Sequence, residues 1–162
     1  MALDQRAFDQ DMDGGWRALA RDSACRIVAA DLIRDYREAH SLTAPILFWH
    51  EGQMRAEAGQ TEMAIVLFDR SRHDDRFGWN LYVDASIAFL RRDRDALQRA
   101  RDALAALPRP AGFQSTDTNG RPINLAWPPN LNVVDALIRC FGRPYAEAYA
   151  CAAPVTVQHT TR

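Results

Sequence analysis

The chain has 162 residues, 48% hydrophobic and 25% charged, with a net charge of −1. That length fits one domain with one sizeable core, and the composition excludes a disordered or low-complexity chain. The charge balance gives no bulk reason to bind nucleic acid, and no apolar run approaches the roughly 18 residues a membrane span needs.

The opening Met1-Ala-Leu-Asp-Gln-Arg lacks a basic region followed by an apolar one, so no secretory signal is expected. Three cysteines without CxxC spacing point to free thiols in a reduced, cytoplasmic setting. All twenty basic residues are arginine, and lysine is absent. With abundant alanine, this fits a GC-rich coding bias; avoidance of reactive amines is the alternative. Aspartate outnumbers glutamate sixteen to five, which suits helix caps rather than helix interiors.

Residues 1–13 are polar and acidic and read as a flexible N-terminal arm or a short helix. Trp16 to Ala39 turns helical, with Ala30, Ile33, Tyr36 and Ala39 on one face and cap chemistry at Asp22-Ser23. Pro45 suits a first helical turn, and Ile46 to Ala58 reads as an apolar helix ended by Gly59. Thr61 opens another, carrying Ala64, Leu67 and Phe68. Trp79 to Leu90 is a further apolar helix. Asp93 or Asp95 caps an amphipathic helix through Leu97, Ala100 and Leu104, stopped by Pro108 and Pro110.

Residues 109–130 form a loop of about twenty residues, with a turn at Asn119-Gly120 and an extended piece at Trp127-Pro-Pro. Asn132 is the expected cap of the last main helix, with Asp135 in the capping-box position. Gly142 closes that helix, Pro144 opens a short one, and 154–162 is an expected frayed tail. No strand is expected, because the apolar positions follow a period near 3.6. The fold class expected is all-α, one domain over 1–162.

Ala30, Ala64 and Ala96 recur at spacings of 34 and 32 residues, each early in the second helix of a pair. Phe48, Gly52, Gly59, Ala64 and Phe68 occupy the large, small, turn-glycine, alanine and aromatic positions of one unit. This stretch resembles a tetratricopeptide repeat. Asn80 to Pro108 resembles it less closely, departing at Asp84 and Arg91, and 16–39 matches only in length and at Ala30. The resemblance implies an array of about three helical hairpins with a C-terminal capping helix; an irregular helical bundle is the alternative. It also implies a groove on the first helices of the hairpins, through Trp49, Gln53, Ala56 and Glu57, then Leu81, Ala85, Ala88 and Phe89. The groove lacks the basic cluster of relatives that bind peptide carboxylates.

Catalytic chemistry finds little support. His50-Glu51 lacks the second histidine of a zinc helix, since position 54 is methionine. His73-Asp74-Asp75 lies in a charged connector. No phosphate-binding glycine loop or GxSxG is present, and Schiff-base chemistry has no lysine. No catalytic residue, metal or cofactor is expected. The function expected is a non-catalytic interaction module for a protein or peptide partner, with no nucleic acid and no membrane. A small bacterial immunity, chaperone or adaptor protein is one form of it. The partner surface expected comprises Trp49, Gln53, Glu57, Leu81 and Phe89, with Trp127 on the loop. The alternatives are an enzyme with a site between the 109–130 loop and the helices, or a translocated effector.

Overall fold

The computed structural model describes residues 3–116, 120–123 and 125–152. The chain is all-α. Helices α1 (Gln5–Asp9) and α2 (Gly15–Ala20) lead through a 3-10 turn at Ser23–Cys25 into α3 (Arg26–Ala39). Then come α4 (Pro45–Glu57), α5 (Thr61–Arg70), α6 (Trp79–Leu90) and α7 (Arg94–Ala105). After the long loop follow α8 (Leu131–Arg139) and α9 (Tyr145–Tyr149).

Local chemistry sets the helix ends. The Asp4 carboxylate accepts the Ala7 N–H, Asp22 that of Ala24, and Asp93 that of Ala96. Pro45 occupies the first turn of α4, where its missing N–H costs nothing. Asp75 accepts the N–H groups of Phe77 and Trp79 and so starts α6, which is the use the structure makes of the acidic connector. Gly59, at φ 79°, makes the left-handed turn between α4 and α5.

Successive helices pair along the chain: α2 on α3, α4 on α5, α6 on α7. Helix α8 then packs against α6 and α7. The main core gathers Trp49, Phe68, Tyr82, Phe89, Leu97 and Leu104 with Leu137 and Tyr145. A second cluster joins Phe8, Trp16, Ile33, Tyr36, Leu47 and Met54. Buried charge ties α3 to α4: Arg37 meets Glu51 at 3.2 Å, and Arg55 meets Asp31 at 2.6 Å.

Three expectations are corrected, and of the two readings of the N-terminal segment the structure has the short helix, α1, docked on α3. Phe8 stacks on Tyr36 with ring centroids 3.7 Å apart, and the Tyr36 hydroxyl donates to the Leu3 carbonyl. The cap of α8 is Asn130, at φ 64°, and Asn132 lies inside the helix. Asp135 instead pairs with Arg101 of α7 at 2.8 Å. Two cysteines expected to be free, Cys140 and Cys151, form a disulfide that brackets α9, leaving Cys25 as the free thiol. The long loop also carries a two-residue antiparallel ladder, Ser115–Thr116 with Pro122–Ile123, too short for any period-2 pattern to announce it. Asn119 and the 154–162 tail lie outside the described residues.

Candidate functional site

The residues expected to share one groove lie in three different environments. Trp49 is 3% exposed and Phe89 is 1% exposed, so both are core residues. The Trp49 ring packs on Phe68 at 4.4 Å and Tyr82 at 4.5 Å between centroids. Helix α9 covers this side of α4 and α6. Tyr145 lies 5.9 Å from the Phe89 ring and 6.1 Å from that of Phe68, and the Tyr82 hydroxyl donates to that of Tyr149.

Glu57 is half-buried and binds the Arg26 guanidinium at the start of α3. Burial holds its carboxyl above the ordinary value, against the charge and hydrogen bond of Arg26 and a hydrogen bond from Gln53. What stays open there is a pocket of about 270 Å³ between Glu57, Phe89, Arg92 and Tyr145. The expected first-helix groove is therefore largely filled by the chain's own α9.

Leu81 faces elsewhere. Eight residues along a helix leave it about 80° around the axis from Phe89. It lines a groove of about 640 Å³ that runs along α6 between α5 and α7. Apolar side chains form the floor: Ile65 of α5, Ile87 and Ala88 of α6, and Ala100 of α7. Val66, 59% exposed, and Ala103 stand on opposite walls. The rim is charged. Arg72 holds Asp69 at 2.8 Å and Asp84 at 2.7 Å. The sequence carried the elements of this site, since Ile65, Ala96, Ala100 and Ala103 sit on helical faces. It did not show that α5 and α7 stand apart over α6.

Trp127 belongs to the long loop. Its indole N–H donates to the Leu107 carbonyl, and its ring meets Phe113 at 4.7 Å and Phe77 at 6.1 Å. A recess of about 580 Å³ opens beside this cluster. Phe77, Phe113, Leu125 and prolines line it, and none of its described lining residues titrates near neutral pH.

The most chemically suggestive constellation is Asp9 with His50. His50 Nδ1 lies 2.6 Å from Asp9 Oδ1, which also accepts the Trp16 indole N–H at 3.0 Å. His50 Nε2 faces Arg17 Nη2 at 3.4 Å. Both ring nitrogens are thus engaged inside the protein, and the pair joins α1 and α2 to α4. His50 lines none of these three pockets. Among the described residues no group of three or more His, Cys, Asp or Glu side chains could hold a metal ion. No described helix is long and apolar enough to cross a membrane.

No family model, no curated protein and no solved structure matches this chain.

Proposed function

We propose that the chain is a non-catalytic protein-interaction module, a short helical-repeat scaffold that takes a protein or peptide segment into the groove between α5 and α7. The observation that carries this reading is the groove itself. It has an apolar floor along a whole helix, walls from two further helices and a charged rim. That arrangement suits a segment with one apolar face. The class of function is the one the sequence suggested, but the surface moves, because α9 covers the first-helix side. An immunity, chaperone or adaptor role fits the class equally.

The compartment turns on the cysteines. A Cys140–Cys151 bond persists in oxidising compartments and is rare in a reducing cytoplasm. The cytoplasmic setting expected from cysteine spacing therefore holds only if the two thiols are kept reduced in the cell.

A photo-crosslinking residue at Val66 tests the interaction surface in the native host, with Gln98, exposed on α7 outside the groove, as the control site. One discrete protein adduct at position 66 and none at position 98 is expected. Equal labelling at both, or no adduct at position 66, overturns the proposal.

A further inference from the structure

We infer that the occupant of the α5–α7 groove is an acidic amphipathic helix. The inference rests on the groove reading above and adds the chemistry of the partner.

Charge decides the sign. Four arginines and three aspartates line the groove. All three aspartates are engaged within the fold: Asp69 and Asp84 with Arg72, and Asp93 as the cap of α7. Of the arginines, only Arg72 is paired with a carboxylate among the described residues. No ion pair or hydrogen bond engages the Arg91 or Arg99 side chain among the described residues. The Arg70 guanidinium rests on the Phe48 ring, 4.2 Å from its centroid, with no carboxylate against it. Arg91 stands at the C-terminal end of α6, Arg99 midway along the α7 wall, and Arg70 at the opposite end on α5. A ligand lying in the groove passes three arginines that no carboxylate among the described residues pairs, and the four arginines against three aspartates leave the lining with a net formal charge of +1. Carboxylates placed along its flanks meet them with charge-assisted hydrogen bonds.

Shape decides the form. The α6 positions lining the groove run from Leu81 to Arg91, a span of about 15 Å at 1.5 Å per residue. That length matches roughly ten residues of helix. On α7, Ala96 and Ala103 beside the floor residue Ala100 project no further than a methyl group, so a partner helix can approach closely. A stripe at i, i+3, i+4 and i+7 on the partner reaches Ile65, Ile87 and Ala100 together.

The test uses a display library of 16-residue helix-forming peptides with randomised surface positions, selected against the full chain. Enriched peptides carrying an apolar stripe flanked by Asp or Glu are expected. Their binding weakens at least about tenfold in Arg91→Glu/Arg99→Glu, and weakens with added salt. Ala103→Trp fills one wall and abolishes binding. Val66→Trp, which adds bulk without charge at an exposed position of the other wall, tests the block independently, and circular dichroism checks each fold. Enriched peptides that are neutral or basic, yet blocked by Ala103→Trp, overturn the acidic assignment and leave the groove reading standing. No enrichment, or enriched peptides indifferent to both wall variants, overturns the two together.

Discussion

Gly52 of α4 lies so close to Phe68 of α5 that a Cβ at position 52 would sit 2.8 Å from the ring's Cδ1. The same atom would come within 3.1 Å of the Leu67 Cβ. Phe68 is fully buried against Trp49 and Tyr145, so the ring has no space into which to retreat. The hairpin closes only because position 52 has no side chain. Gly52→Ala is expected to destabilise the chain by about 1–3 kcal/mol, although alanine is the better helix former. Equilibrium denaturation reads this directly, and an unchanged or raised midpoint would mean that α4 and α5 stand further apart.

Asp9 predicts an acid limb. Burial pushes its carboxyl up, but hydrogen bonding and charge from His50, with hydrogen bonds from Trp16 and Gln10, bring it below the ordinary value of 3.8. A carboxyl with a lowered folded pKa stabilises the fold above its unfolded pKa. That contribution fades as pH falls through the folded value. The wild-type chain should therefore lose stability as pH drops from about 4 towards 2, and Asp9→Asn should flatten that limb. At neutral pH the same variant costs on the order of 1–3 kcal/mol, because the amide loses the charge that strengthens the bonds from His50 and Trp16 and sets its own NH2 where Oδ2 accepts from Gln10. Parallel pH–denaturation curves for the two proteins would refute the assignment.

The disulfide predicts a thiol count. Denatured without reductant, the protein should show one reactive thiol, that of Cys25; after reduction it should show three. Cys140 and Cys151 are 11 residues apart, and closing so short a loop restricts the unfolded chain by about 2–3 kcal/mol. Replacing both by serine should lower stability by that order and loosen α9, which hydrogen exchange at Ala148 and Tyr149 reports. Three thiols before reduction, in protein purified from its native host, would return the chain to the reduced setting expected from its cysteine spacing.

What the sequence made legible was short-range. Pro45, Gly59 and Asp93 mark helix ends by chemistry that acts within one turn, and the structure uses each of them as expected. What it hid was relational. Asp9 meets His50 across 41 residues, and neither side chain belongs to a motif. Phe8 stacks on Tyr36 from a segment whose polar neighbours suggested an arm or a short helix and nothing of its contacts. The insertion of Tyr145 beside Phe89 depends on where α9 is brought by the turn at Gly142 and by the Cys140–Cys151 link. No periodicity carries that information, so the first-helix face read as open.

Trp49 separates the two surfaces most sharply. The tetratricopeptide-like register put it at the centre of a partner groove, beside Gln53 and Glu57. The structure surrounds it with Phe68, Tyr82 and Trp79, the last 5.0 Å away and edge-on. A groove anchor can be truncated with loss of binding and little loss of fold. A core tryptophan cannot, because its removal leaves a void that close-packed neighbours fill only in part. Trp49→Ala should therefore cost about 3–5 kcal/mol, while Ala103→Trp, in the α5–α7 groove, should leave the melting transition in place and abolish partner capture. Measured side by side, stability falls in the first variant and binding in the second. A Trp49→Ala protein that melts like wild type and has lost its partner would restore the first-helix face as the binding surface.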